Sequence, residues 1–151
     1  MALTDHPTDL TGLWHALWQT TAEGRPNINT EVVRLQQRGP ELWLENTGRS
    51  PENPIGGYLW RGEGVLYNGQ YLIGSYAAAE QSVIAKGSLY FVLNPGGDYL
   101  VGKWVGCNLD STFTWGFGVF AKDKERGMAK LRLLLGRQDG SVPPVLVEKA
   151  R

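Results

Sequence analysis

GYLWRGEGVLYNGQYLIGSY, residues 57–76, sets glycine at positions 57, 62, 64, 69 and 74 among tryptophan, tyrosine, leucine and valine. The aromatic and branched residues favour strands, whereas glycine weakens them unless a bend or a close approach needs it. Asn68-Gly69 supplies the positive φ angles of a tight hairpin turn, so the stretch folds back on itself as two antiparallel strands. Within the first strand, Gly62 and Gly64 share a face with Trp60, which predicts a bent wall strand whose glycines leave room for a ring.

The same grammar extends in both directions. GLWHALWQTT (12–21) places Gly12, Trp14, Ala16 and Trp18 on one face. EVVRLQQRG and ELWLENTG form a hairpin around Gly39-Pro40, KGSLYFVLN and DYLVGKWVGC are joined through Pro95-Gly96-Gly97, and TFTWGFGVFAK follows a turn at 108–111. Eight consecutive strands joined by short loops predict an all-β fold, an eight-stranded antiparallel up-and-down barrel of lipocalin-like type, since closure removes open edges. A twisted sandwich is the alternative. In residues 122–137, Asp123 can cap a C-terminal helix that Gly136 ends, with Met128, Leu131 and Leu135 on one face; Gly127 and the alternation of leucines also allow a ninth strand. The expected organisation is a flexible start over 1–9, a barrel over 10–121, a helix over 122–137 and an extended tail over 138–151.

The 151 residues suit one domain, and fifteen basic side chains balance fifteen acidic ones. Zero net charge argues against sequence-blind nucleic-acid binding. The single cysteine and a start without a secretory pattern lead to a cytoplasmic expectation, and no apolar window is long enough for a membrane span.

Catalytic chemistry has little support. His6 and His15 are the only histidines, Cys107 has no histidine base at motif spacing, and neither a metal pattern nor a phosphate loop is present. The expectation is a protein that is not an enzyme and takes no cofactor or metal. Six tryptophans and six tyrosines instead suit stacking on a planar ring, and basic residues supply phosphate contacts. The candidate ligand-binding residues are Trp14, Trp18, Arg34, Trp60, Tyr76 and Trp104, with the aromatics pointing into the lumen. Solvated outer-face positions are the alternative for Arg34, Arg61, Lys86 and Lys103. With this face inward, Tyr71, Ile73, Tyr90, Val92, Val101, Val105 and Phe120 are expected outside, under either the C-terminal helix or a second subunit.

The phrases Leu72-Ile73-Gly74-Ser75-Tyr76 and Leu100-Val101-Gly102-Lys103-Trp104, with Gly12-Leu13-Trp14 before them, make the order of motifs over residues 10–121 similar to lipocalin-like minimal β-barrels of bacteria. It resembles in particular the cyclic-dinucleotide-sensing barrel of two-transmembrane antiphage effectors of CBASS type. That resemblance implies a sensor of a nucleotide-type signal, with Trp14, Tyr76 and Trp104 at the matching positions; the transmembrane pair of those effectors has no counterpart in this sequence. A small-molecule ligand is thus the preferred partner. The alternatives are a closed barrel that meets a protein partner or a second copy through its outer wall and C-terminal helix, and, third, a lipocalin-like enzyme.

Overall fold

In the computed structural model, which describes residues 8–22, 25–48, 58–80, 83, 85–107 and 111–136, the eight strands close into one antiparallel barrel. They are β1 (Gly12–Ala22), β2 (Arg25–Arg38), β3 (Glu41–Asn46), β4 (Trp60–Tyr67), β5 (Tyr71–Ala78), β6 (Lys86–Leu93), β7 (Tyr99–Cys107) and β8 (Phe113–Ala121), and each pairs with the next. β8 returns to β1 through the pairs from His15 with Ala121 to Trp18 with Gly118. The up-and-down order is the one expected. β2 begins at Arg25, earlier than the run from Glu31 suggested, because the polar Asn27 and Asn29 pair with Thr20 and Trp18 on the long β1.

Turn chemistry sets the register. Asn68 (φ 55°) and Gly69 (φ 64°) occupy the left-handed region, and the Gln70 N–H closes the turn on the Tyr67 carbonyl at 2.9 Å. Between β6 and β7, the Asn94 side-chain oxygen accepts the backbone N–H groups of Asp98 and Tyr99 at 3.0 and 2.9 Å.

Alternation then fills the interior. Trp14, Leu35, Leu42, Leu66, Leu72, Leu93 and Leu100 are buried at one end, and Leu10 closes that end from the segment before β1. The Leu10 carbonyl accepts the Trp14 indole N–H at 2.8 Å, and its own N–H donates to the Gln37 side chain at 2.7 Å. Phe120 corrects the expected outer face. It shares parity with Gly116 and Gly118, so it lies inside, 5.4 Å from Trp18 and 5.2 Å from Phe91 between ring centroids. Ile73, Tyr90 and Val105 do face out and are exposed.

The glycines of the wall make room for these rings. A β-carbon on Gly118 would lie 2.7 Å from the Trp18 ring, and one on Gly87 would run into both the Val105 carbonyl and, at 2.6 Å, the Tyr76 hydroxyl. At Gly64 and Gly74, paired across β4 and β5, the neighbour is backbone instead: added β-carbons would run into the Ile73 and Glu63 carbonyls. Lumen filling and strand coiling are therefore separate reasons for glycine in the barrel wall.

Residues Lys124–Gly136 form helix α1, not a ninth strand. The Asp123 carboxylate accepts the N–H groups of Glu125 (2.9 Å) and Arg126 (3.2 Å), capping the first turn as expected. α1 lies across β1 and β8, where Leu131 is buried with Leu17, Val119 and Ala121. Gly127 is what lets it lie close, since a β-carbon there would sit 2.8 Å from Leu17 and 2.9 Å from Ala121. Asp123→Ala should lower stability by about 1 kcal/mol in chemical denaturation; an unchanged midpoint would mean that packing alone holds the helix. The expected tail over 138–151, and the flexible start where it concerns residues 1–7, lie outside the described residues.

Candidate functional site at the open end of the barrel

The two ends of the lumen differ. Inward-facing side chains near Leu10 are almost fully buried, whereas at the opposite end Trp18, Glu31, Tyr76 and Trp104, with Tyr58 just before β4, keep part of their surface accessible. β1 and β2, β3 and β4, β5 and β6, and β7 and β8 connect at this end. The barrel thus has a fully buried base and an opposite end, here called the mouth, whose inward side chains keep partial exposure.

A carboxylate sits in the wall of that mouth. Glu31 shares inward parity with Val33 and Leu35, and its Oε2 accepts the indole N–H groups of Trp18 at 2.7 Å and Trp60 at 2.8 Å. Its Oε1 accepts the Asn46 amide at 3.0 Å. Asn46 also donates to the Tyr58 carbonyl at 2.9 Å and accepts the Trp60 backbone N–H at 2.8 Å, joining the start of β4 to the end of β3. The Trp18 and Trp60 rings meet edge to face at 5.9 Å, and Trp60 meets Tyr76 likewise at 6.3 Å.

Burial pushes the Glu31 carboxyl above its ordinary value, and the hydrogen bonds from Trp60, Asn46 and Trp18 oppose that push. Burial also raises Tyr58, with a further rise from the charge of Glu31. Tyr76 is pushed up to about 12, by burial first and then by Tyr58. Both phenols are therefore neutral hydroxyls at neutral pH, able to donate or accept.

Of the six expected site residues, Trp18, Trp60 and Tyr76 come together at the mouth. Trp104 faces the same end, its indole N–H donating to the Gln19 carbonyl at 3.0 Å. Trp14 does not join them: it is buried at the base, with the Lys122 ammonium 4.1 Å from its ring centroid. Arg34 does not either. It lies on the outer wall, where it pairs with Glu45 at 3.2 Å beside the exposed Trp43 and Arg61, so no lumen ring can share a ligand with it. Residue-by-residue reading missed Glu31, Asn46 and Tyr58. The signal for Glu31 was its alternation with Val33 and Leu35.

Among the described residues, no group of three or more histidine, cysteine or carboxylate side chains is placed to hold a metal, and no helix is long and apolar enough to cross a membrane. Compared with known protein families, with curated proteins and with solved structures, the chain matches none. The likeness to the antiphage sensor barrels thus rests on the sequence phrases quoted above.

Proposed function

We propose that this barrel is a non-catalytic binder of a small planar ligand, taken up at the mouth lined by Trp18, Glu31, Tyr58, Trp60, Tyr76 and Trp104. The observation that carries the reading is the asymmetry of the lumen: inward rings are accessible at one end and sealed at the other. An aromatic-lined concavity with few polar groups is the usual form of a small-molecule site. A nucleotide-type signal, a cyclic dinucleotide included, is the first class to test. It would enter base first, because Arg34, Arg38 and Arg61 stand outside and the phosphates would find no cation among the described lumen side chains. The single Cys107 fits a reducing compartment, and the cytoplasm is the setting we propose.

The test is a titration of tryptophan fluorescence and melting temperature with cyclic and linear nucleotides, haem, biotin and fatty acids. Binding should appear as a saturable quench with a raised melting temperature, and Trp104→Leu should weaken it about 10-fold, the value of one stacked ring. A panel without any response would overturn the reading.

A second reading has its own observation. The outer wall of β6 to β8 exposes Phe113 (72%), Trp115 (53%) and Tyr90 (51%), and α1 covers β1 and β8 at Leu17, Val119 and Ala121, elsewhere on the barrel. Lys103 holds its ammonium 4.4 Å from the Trp115 ring centroid and 4.9 Å from that of Phe117. Such a wall suits a protein partner or a second copy. Sedimentation of the wild type beside Trp115→Glu separates these cases, since a dimer through this wall would become a monomer.

A further inference from the structure

We infer that the mouth selects a ligand by an N–H-donating edge, amidinium-like or amino-heterocyclic, and turns away ligands that lead with an anionic group. This rests on the proposed binding at the mouth and names the ligand chemistry of that same site.

The lysines and arginines whose strand side chains are described (Arg34, Arg38, Arg61, Lys86 and Lys103) lie at outward parity positions, and His15 faces away from the lumen beside Trp14; Arg25, paired with Ala22, has inward parity, and its side chain lies outside the described residues. Among the described inward-facing strand side chains, Glu31 alone carries a charge. Among the described residues its partners are two indoles and an amide, with no ion pair. An anion entering the mouth would meet this carboxylate at reduced dielectric with no cation among the described lumen side chains to offset it.

Acceptor capacity comes next. A carboxylate offers about four acceptor positions, two on each oxygen. The indoles of Trp18 and Trp60 fill both on Oε2, and Asn46 takes one on Oε1, which leaves Oε1 able to receive one more donor. The indole bonds also fix the carboxylate, so an incoming N–H finds its acceptor already oriented. The surrounding ring faces favour the same ligands, because aromatic quadrupoles attract positive charge. Tyr58 and Tyr76, the other described titratable side chains that face the mouth, are neutral hydroxyls and leave the sign of the described site unchanged. An amidinium, or the amino edge of a guanine-type base, presents a flat N–H donor to Oε1 while its ring lies against indole.

Three probes of equal size and shape test this: benzamidine, benzamide and benzoate, titrated to millimolar concentration while the indole N–H resonances of Trp18 and Trp60 are followed by two-dimensional NMR. Benzamidine should bind about 10-fold or more tightly than benzoate, with neutral benzamide between them. Glu31→Gln should cost benzamidine about 10-fold and leave benzoate no weaker. Benzoate binding as well as benzamidine would overturn the selectivity while leaving the proposed binding at the mouth in place, and so would a Glu31→Gln variant that keeps wild-type benzamidine affinity. Silence from all three probes would overturn both. If Glu31→Gln does not fold, the ranking of the probes on the wild-type protein decides alone.

Discussion

Gly118→Val should remove about 3 kcal/mol or more of stability, enough to leave a domain of this size largely unfolded on mild heating. Gly118 pairs with Trp18 on one side and Gly102 on the other, where β1, β7 and β8 meet. A β-carbon there would stand 2.7 Å from two atoms of the Trp18 ring and 2.9 Å from Phe91. Neither ring has room to retreat. Trp18 is tied through its indole N–H to Glu31 and touches Trp60, Phe91 and Phe120 edge to face. Valine adds two further methyl groups to that clash. Gly48→Ala is the control: a β-carbon there meets nothing within 4 Å, and its effect should stay within about 0.5 kcal/mol. Urea denaturation followed by far-ultraviolet circular dichroism compares the two, and equal midpoints would dismiss the idea that the wall glycines exist to seat rings.

That contrast shows what could be read in advance. Gly62, Gly74 and Gly102 announced an inward face because each alternates with a leucine or an aromatic, and the Asn68-Gly69 turn fixed the pairing of β4 with β5. Strand order followed from short loops, and closure from the need to cover two edges. Parity was legible wherever glycine and rings alternated cleanly, but it had to be counted through every residue. Phe120 was set outside although Gly116 and Gly118 share its face, a one-residue slip that moves a side chain across the wall. The same counting would have put Glu31 inside with Val33 and Arg34 outside with Val32. A charged side chain at the edge of an apolar run reads first as solvated, since few carboxylates are tolerated in a lumen. Only the spatial meeting of β1, β2, β3 and β4 shows that two indoles and an amide converge on this one. Which end of the lumen is fully buried was not legible either, because that depends on how Leu10 folds over the base and bonds to Trp14 and Gln37.

Glu31→Ala should cost about 3 kcal/mol near neutral pH, while Glu31→Gln costs about 1 kcal/mol, and the difference isolates the acceptor from the charge. Alanine leaves the indole N–H groups of Trp18 and Trp60 without their acceptor, whereas the Asn46 amide keeps the Tyr58 and Gly48 carbonyls; Trp60 is the more buried of the two indoles and contributes most to the loss. Glutamine retains an oxygen with two acceptor positions and loses the burial penalty of the charge. The pH dependence carries the opposite sign from that of an ion-paired carboxylate. Because burial raises the Glu31 carboxyl in the folded chain, the folded state holds that proton more tightly than the unfolded state does. The stabilisation by the protonated form is fully present below the ordinary value of 4.5 and is lost as pH rises through the raised folded value. The melting temperature of the wild type, taken relative to that of Glu31→Gln, should therefore fall as pH climbs above 4.5. A difference that rises over that range would mean that its hydrogen bonds outweigh burial, which would hold the carboxylate ionised at lower pH. A carboxylate whose ionised form carries a burial penalty while two indoles hold it in one orientation fits the role we propose for it, contact with an N–H donor that enters the mouth.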